Sequence, residues 1–406
     1  MKLRAATLFF ILLFGILAFN SGYVIGQSPW APFQVFSSGE MPAEAEEAFA
    51  PLWEVYSLVQ TRYFERPIDN ELLAEGAING MLAALDDPYS RYLSPADEAA
   101  ERDSMQGEIS GIGVEITSED GFLTVISPIE GSPAEAAGLV PGDRILEADG
   151  ISLLDLDVGE AAQIVRGPVG TSVLLVIERD GETFDLEVMR DIIKIASVRG
   201  EILEDNIAYL RLSQFSFDTA VEVEKILKEL LAENPAGLIV DVRRNPGGSL
   251  QTVVDVADQF LTEGPVLVQD FGAENKRTFS ADDNDLAEEI PLVILIDEGS
   301  ASASEVLAGA IRDRGRGILL GQTSFGKGTV QTWHELSNQG GLRITIARWL
   351  TPDENWINKT GLDPDIFIPL PEFEEGVDFE DTQLQAAIDY LLGKEVLSIP
   401  PAEKES

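Results

Sequence analysis

The chain has 406 residues, more than one hydrophobic core usually serves, so its length predicts two or more domains. A formal net charge of −43 at pH 7 repels nucleic acid and anionic surfaces at long range, which argues against nucleic-acid binding. The absence of cysteine excludes disulfides and thiolate nucleophiles. The chain has one histidine, His334, which excludes a multi-histidine metal centre, and no cofactor is expected.

Residues 1–26 combine a positive start with an apolar run, the pattern of a membrane-targeting segment. Lys2 and Arg4 precede the run, and no further charge appears until Glu40. Extended through Ile25, the run is long enough to span a bilayer, and no small-x-small cleavage site follows it. A cleaved signal peptide and an uncleaved anchor both remain open, and the pattern favours the anchor. We expect the bulk of the chain to be exported and held at the bacterial cytoplasmic membrane.

Residues 27–43 predict a linker, because proline, serine and glycine interrupt them repeatedly. Residues 44–96 predict a helical region that ends in the turn-rich stretch DDPYSRYLSP, residues 86–95. Within this region an apolar stripe recurs at the spacing of a helix face. The stripe consists of Leu52, Val55, Tyr56 and Val59.

Residues 97–190 predict a compact, independently folding domain of short strands and two small helices. One helix starts at SPAEAAGL, where Ser132 can cap the helix and Pro133 occupies its first position. The other covers residues 160–165. The predicted strands are the apolar stretches GIGVEI, LTVIS, RILEADG and SVLLVIERDG.

Residues 191–372 alternate strands and helices, which predicts an α/β core with a sheet covered by helices. Residues 373–406 are assigned to a last helix, over 378–393, and a tail. The predicted strands of the core include 206–215, 237–242, 291–296 and 317–320, and its predicted helices are 219–232, 250–261 and 302–312.

The stretch DEGSASASE, residues 297–305, follows the apolar strand PLVILI and opens a helix. A serine at a helix start lies near unsatisfied backbone N–H groups, which stabilise negative charge together with the helix dipole. An acyl-transfer nucleophile needs this environment, because charge develops on the carbonyl oxygen. Serines at helix starts also serve as ordinary N-caps, so this stretch alone indicates either role.

The stretch GQTSFGKGTV, residues 321–330, nearly matches a phosphate-binding loop, but Gly328 stands where that loop requires serine or threonine. The residues that follow have a strand pattern instead of the helix that would receive the phosphate, so nucleotide binding is disfavoured. Lys327 is either a solvated loop lysine or a base whose pKa is lowered by burial. The other candidate base is His334, in a strand-like segment.

The stretch RRNPGGSL, residues 243–250, directly follows the buried strand LIVDV. Its glycines can expose backbone N–H groups at the carboxyl end of that strand, as a donor to an oxyanion requires. An ordinary tight turn explains the same residues.

Taken together and in this order, these stretches resemble the carboxyl-terminal processing peptidases, also called tail-specific proteases. GIGVEI with SPAEAAGLVPGDRILEADG resembles a PDZ domain, and DDPYSRYLSP resembles the segment that precedes it. RRNPGG, GSASASE and SFGKGTVQ resemble the three motifs of the catalytic core. The resemblance implies a multidomain α/β protein with a crotonase-like protease core, an inserted PDZ domain and an N-terminal helical region.

The resemblance also implies a serine endopeptidase that cleaves proteins near their C-termini with a serine–lysine dyad. Ser302 matches the nucleophile, Lys327 the base and Gln331 the residue that orients the lysine. The oxyanion would be held by backbone N–H groups, namely those of Ala303 and of Gly248 or Gly247.

In the PDZ-like module the resemblance implies recognition of substrate C-termini. Gly111, Ile112, Gly113 and Val114 match the loop that binds the terminal carboxylate, and the peptide would add as a strand. Arg166 matches an arginine that links peptide sensing to the active site. The N-terminal helices resemble a dimerisation region, which implies a homodimer. An inactive relative that docks peptides without cutting them remains the alternative.

Overall fold

The computed structural model describes residues 43–119, 121–129, 131–282, 286–370 and 380–399. The predicted membrane segment and the linker up to residue 42 lie outside the described residues. Among the helices within them, none is long and apolar enough to cross a membrane. The chain divides into two units, Met1–Ala74 and Glu75–Ser406.

The described part of the first unit is helical, as the sequence predicts. Helix α1 spans Ala43–Arg62, and the first residues of α2, which spans Asn70–Ala83, belong to the same unit. The hydroxyl group of Tyr56 on α1 donates to the side chain of Asn70 over 3.2 Å. Much of the predicted apolar stripe of α1 is exposed, together with Phe49, Trp53 and Leu58.

The second unit begins with a short segment that leads into a module of antiparallel strands. Strand β1 spans Arg91–Leu93 and helix α3 spans Pro95–Met105. The hydroxyl oxygen of Ser94 accepts a hydrogen bond from the backbone of Asp97, which caps the start of α3.

The module has the strand order β3-β4-β5-β7-β8, with β6 on β5, around its own hydrophobic core. Helix α4 starts at Pro133 and is capped by Ser132, as predicted. The chain enters and leaves through two strands, β2 and β9, that pair antiparallel with each other. The elements are β2 (Glu108–Gly111), β3 (Val114–Glu119), β4 (Phe122–Pro128), α4 (Pro133–Ala137), β5 (Arg144–Ala148), β6 (Ile151–Ser152), α5 (Val158–Val165), β7 (Ser172–Arg179), β8 (Glu182–Met189) and β9 (Asp191–Lys194).

The rest of the unit is built on a six-stranded sheet with the order β10-β11-β12-β15-β16-β19, parallel except for the first pair. Helices α6, α7 and α8 pack on one face and α9 on the other. Burial on both faces explains why the central strands are mostly apolar, and β15 entirely so. The elements are β10 (Val198–Ile202), β11 (Ile207–Leu212), α6 (Thr219–Ala232), β12 (Gly237–Asp241), α7 (Leu250–Ala257), β15 (Leu292–Ile296), α8 (Ala303–Asp313), β16 (Ile318–Gly321), β19 (Ile366–Phe367) and α9 (Thr382–Leu391).

A second sheet brings distant parts of the chain beside the loop that contains Lys327. Its order is β1-β18-β13-β14, with β17 paired to β18. Strand β18 therefore lies between β1, from the start of the unit, and β17, which follows the lysine. The remaining elements are β13 (Gly264–Asp270), β14 (Lys276–Ala281), β17 (Thr329–Glu335) and β18 (Gly341–Leu350).

Candidate active site

Three loops meet at the carboxyl ends of the adjacent parallel strands β12 and β15. They are the loop after β12, the loop after β15 and the loop that precedes β17. A cavity of about 270 Å³ lies between them. Among the sequence-predicted residues, those that line this cavity are Gly248, Ser302, Ala303, Lys327 and Gln331. Its apolar wall includes Pro246, Leu250, Val306, Val330 and Trp349.

Ser302 lies on a sharp turn between strand β15 and helix α8. Its backbone has φ 54° and ψ −111°, a conformation that a non-glycine residue adopts only under strain. A strained strand-to-helix turn is also how α/β hydrolases expose a nucleophilic serine. The turn directs Ser302 into the cavity, at the start of the helix.

The two neighbouring serines do not line the cavity. Ser300 and Ser304 are fully buried, and their hydroxyl groups donate to the backbone oxygens of Val242 at 2.8 Å and Asn245 at 2.9 Å. The Asn245 oxygen also accepts from the backbone N–H of Ala301 at 3.0 Å. These contacts fasten the serine loop to the loop after β12 and leave Ser302 as the partly exposed member of the three.

The loop after β12 directs one glycine N–H towards the cavity. Phe215 forms a parallel bridge with Gly248: its N–H donates to Gly247 O at 2.9 Å, and its oxygen accepts from Ser249 N at 2.8 Å. In such a bridge the middle residue points its own N–H away from the partner. The N–H of Gly248 therefore points away from Phe215, and Gly248 itself lines the cavity.

The hydrogen bonds of the two glycines considered as oxyanion donors differ. The N–H of Gly247 donates to Asn245 Oδ1 at 2.9 Å and is thus already engaged, so Gly247 is a poor candidate. A Cβ on Gly248 would lie 2.2 Å from the oxygen of Phe215, which explains the glycine. The N–H of Ala303 is at the first position of α8, where helices leave donors unsatisfied. Gly248 and Ala303 are the better pair.

Lys327 is half-buried, and its surroundings favour the neutral amine. Burial lowers the pKa of Lys327 to about 8, and the positive charges of Arg343 and Arg91 act in the same direction. Glu101 and Glu305 oppose this shift. A lysine in this environment differs from the solvated loop lysine that the sequence left open.

Gln331 lies in the same cavity, but the predicted contact with the lysine is not formed. Its amide nitrogen donates to Thr329 Oγ1 at 2.9 Å and to Thr345 Oγ1 at 3.1 Å. Among the described residues, no hydrogen bond joins the Lys327 amine to Gln331 or to Ser302. The orienting role of Gln331 stays a prediction.

Glu305 is a central residue of the site that the sequence analysis missed. Its fully buried carboxylate accepts hydrogen bonds from the backbone N–H groups of Ser302 at 2.8 Å and Lys327 at 2.9 Å. It also accepts from Gly326 N at 2.6 Å and from Ser324 Oγ at 2.6 Å. Burial raises the pKa of Glu305, while these four hydrogen bonds oppose the rise. One side chain thus joins the loop of Ser302 to the loop of Lys327.

A signal for Glu305 was present in the sequence. Serine followed three residues later by glutamate is the capping-box pattern, and Ser302 with Glu305 fits it. The pattern predicts the contact between them at the start of α8. It does not predict that the same carboxylate reaches the loop of Lys327.

His334, the alternative base, lies outside the cavity. It is exposed on β17, opposite Leu342 of β18, and is not among the cavity-lining residues. The geometry therefore gives it no path to Ser302.

A second cavity, of about 250 Å³, lies between β3 and α5 of the antiparallel module. It brings together all five predicted peptide-binding residues, since Gly111, Ile112, Gly113, Val114 and Arg166 line it. Arg166 is exposed at the end of α5 and does not line the cavity of Ser302. The remaining lining is mostly apolar, with Ile116, Ile129, Val158, Val165, Ile193 and Ile195.

Comparison with known proteins supplies three family matches along the chain. Peptidase family S41 matches residues 206–368, a PDZ domain matches residues 124–179, and the activating protease CtpB N-terminal domain matches residues 29–96. The predicted fold class, a multidomain α/β protein with a PDZ domain and N-terminal helices, is confirmed.

Individual relatives cover most of the chain. A carboxy-terminal-processing protease of Bartonella bacilliformis is 40% identical over 334 residues, which are 80% of this chain and 76% of the relative. The carboxy-terminal processing protease CtpB of Bacillus subtilis is 37% identical over 83% of this chain and 71% of its own. The solved structure of a photosystem II D1 C-terminal processing protease is 31% identical, with a TM-score of 0.50 over 82% of this chain and 94% of that one.

Proposed function

Because the chain belongs to the carboxy-terminal processing proteases of peptidase family S41, and is therefore a hydrolase of peptide bonds, we propose that it cuts with a dyad of Ser302 and Lys327. Ser302 Oγ attacks the carbonyl carbon of the scissile bond, and the neutral amine of Lys327 accepts the hydroxyl proton. The tetrahedral oxyanion receives hydrogen bonds from the N–H groups of Gly248 and Ala303, at the positive end of α8.

The second half of the reaction uses the same groups. The ammonium of Lys327 returns the proton to the leaving amine, which departs with the C-terminal part of the substrate. Water then attacks the ester on Ser302, with Lys327 again as the base, and releases the N-terminal part with a new carboxylate. Gln331 orients the amine through its free oxygen once the substrate is bound.

One observation carries this proposal. A serine held in a strained turn at a helix start shares a cavity with a half-buried lysine whose pKa is lowered to about 8. A hydroxyl group is a weak nucleophile unless a base takes its proton. In this cavity Lys327 is the lining residue that can do so near neutral pH.

The groove between β3 and α5 would select substrates by their C-terminal tails. Backbone N–H groups at Gly111 to Val114 would bind the terminal carboxylate, and the tail would extend β3 by strand addition. The apolar lining favours an apolar last residue. Arg166, at the rim of the groove, would report tail binding to the active site.

The N-terminal part of the chain would hold the enzyme at its place of work. The apolar run of residues 1–26 would tether it to the cytoplasmic membrane with the protease outside the cytoplasm. The exposed apolar side chains of α1, such as Leu52 and Trp53, support a homodimer formed through this helix.

The test is cleavage of a denatured protein by the full chain and its variants. Ser302→Ala and Lys327→Ala should each abolish cleavage, whereas His334→Ala should retain most of it. Ser337→Ala, which removes an exposed serine, is the matched control and should cut normally. If wild type and Ser302→Ala were equally inactive under varied conditions but still bound peptide tails, a peptide-docking protein would be favoured instead. If His334→Ala lost cleavage while Lys327→Ala kept it, the dyad would be refuted.

A further inference from the structure

The turn at Asp87–Arg91 lies beside the lysine, and the proposed mechanism gives it no role. The ring of Tyr89 faces the Lys327 amine, with 5.1 Å from its centroid to Nζ. This distance is within the range in which an aromatic face attracts a cation. Tyr89 is half-buried, so its ring forms part of the wall around the amine.

The turn is anchored so that the ring cannot easily move away. The carboxylate of Asp87 accepts from Ser90 Oγ at 2.6 Å and from the backbone N–H of Tyr89 at 3.1 Å. Ser90 Oγ in turn accepts from the N–H of Thr345 on β18 at 3.0 Å. Just after the turn, β1 pairs with β18. The turn is therefore bonded to the strand that lies beside the lysine loop.

The same strand connects the turn to Gln331. The hydroxyl oxygen of Thr345 accepts a hydrogen bond from the amide nitrogen of Gln331 at 3.1 Å. The backbone N–H of Thr345 donates to Ser90 Oγ in the turn. Tyr89, Thr345, Gln331 and Lys327 thus form one connected group. Its members come from separate segments of the chain.

We propose that Tyr89 is a positioning residue for proton transfer: its ring keeps water from the neutral Lys327 amine and holds the ammonium in place after it has taken the Ser302 proton. This inference rests on the proposed role of Lys327 as the base. The apolar body of the ring excludes water, and its negative face attracts the cation that forms. Both effects require the ring and not the hydroxyl group.

Charged groups surround the amine on several elements, and each bears on the test. Arg343 of β18 and Arg91 of β1 lower the pKa of Lys327, whereas Glu101 of α3 and Glu305 of α8 raise it. Asp87 of the turn also interacts with the lysine charge. Burial, with the negative charges of Glu305 and Asp87, raises the pKa of Tyr89.

The experiment measures kcat and KM of the full chain from pH 6 to pH 10 for wild type, Tyr89→Phe and Tyr89→Ala. Burial is the largest cause of the low pKa of Lys327, so removal of the ring admits water and raises that pKa. The acid limb of the profile, which is the pH range where the rate rises with pH, then moves to higher pH. We expect a shift of about one pH unit and about tenfold lower kcat at pH 7, with KM unchanged. Tyr89→Phe should retain the wild-type profile, because it keeps the ring.

Tyr92→Ala is the matched control. It removes a tyrosine from the same segment, whose hydroxyl group contacts Asn338 and not the lysine. Its profile should keep the wild-type midpoint. The proposal would be overturned if the pH profile of Tyr89→Ala superimposed on that of wild type. It would also be overturned if Tyr92→Ala shifted the midpoint as much as Tyr89→Ala does, or if Tyr89→Phe were as impaired as Tyr89→Ala.

Two further measurements keep the proposal testable. If Tyr89→Ala does not fold, Tyr89→Leu can replace it, because leucine retains the apolar bulk without the aromatic face. This variant should lower kcat and move the acid limb of the pH profile to lower pH. An unchanged profile counts against the proposal. In a Ser302→Ala background, the rate of acetylation of Lys327 against pH reports the amine without any catalysis. An unchanged acetylation midpoint on adding Tyr89→Ala refutes this inference, whereas full activity of Lys327→Ala refutes the proposed dyad.

Discussion

Raising the pH from 6 to 8 should increase kcat/KM about 50-fold, because the base must be neutral to accept a proton. Burial, aided by Arg343, lowers the pKa of Lys327 from 10.5 to about 8. The neutral fraction is then roughly 1% at pH 6, 9% at pH 7 and half at pH 8. The rate should therefore rise tenfold between pH 6 and 7 and level off above about pH 9.

Two substitutions should move this acid limb in opposite directions. Arg343 lowers the pKa of the lysine and Glu101 raises it, and the two side chains bond to each other at 2.9 Å. Arg343→Gln removes a positive charge and should shift the limb to higher pH. Glu101→Gln removes a negative charge and should shift it to lower pH. The assay is hydrolysis of a fluorogenic peptide at constant ionic strength, since screening weakens both effects.

Three results would contradict a pH profile governed by Lys327 and its charged neighbours. A limb centred near 6.5, the ordinary value for histidine, that disappears in His334→Ala would identify a different base. A flat profile from pH 6 to 9 would show that no group with the lysine's lowered pKa limits the reaction. Shifts of the same sign in Arg343→Gln and Glu101→Gln would show that geometry, and not charge, controls the limb.

Three further outcomes are expected. Glu305→Gln replaces one carboxylate oxygen by an NH2 group, which cannot accept from the backbone N–H groups of Ser302 and Lys327 or, in the other amide orientation, from that of Gly326. Urea denaturation should therefore show a loss of at least about 2 kcal/mol and cleavage should fall; unchanged stability would contradict the role of Glu305 in joining the two loops. Gly248→Ala places a Cβ 2.2 Å from the oxygen of Phe215 and displaces the proposed oxyanion donor, so kcat should fall about 100- to 1,000-fold, and a mainly raised KM would argue against that role. Calorimetry with Ser302→Ala should show that a peptide with a free apolar C-terminus binds at least about tenfold more tightly than its amide, because only a carboxylate accepts charge-assisted hydrogen bonds; equal affinities would exclude a carboxylate loop at Gly111 to Val114.

Much of the α/β core could be predicted because its strands and helices have distinct local patterns. The buried strand at 291–296 is continuously apolar, that at 237–242 is apolar except for Asp241, and the helices that follow carry an amphipathic period. The second sheet was harder to predict. Strand β14, with sequence KRTFSA, is mostly exposed, so it lacks the apolar run that marks a buried strand.

In the candidate site, too, features set by neighbouring residues were predictable, and those set by contacts between distant segments were not. The turn at Ser302 was predictable because strand, turn and helix are adjacent in sequence. The resemblance already pointed to Ser302, but the burial of Ser300 and Ser304 depends on contacts with Val242 and Asn245, which lie in another loop. The reason for Gly328 was likewise out of reach of the local sequence: a Cβ there would lie 2.7 Å from Trp356 Nε1, in a distant segment, so packing requires the glycine.

Glu305 joins the loops of Ser302 and Lys327 without using the side chains that are proposed to react. It accepts hydrogen bonds from the backbone N–H groups of both residues, so the Ser302 hydroxyl and the Lys327 amine take no part in these contacts. The hydroxyl or the amine can therefore be exchanged while both loops keep their positions. Ser302→Ala should consequently serve as a substrate trap that captures native proteins by their tails and retains them uncut for identification by mass spectrometry.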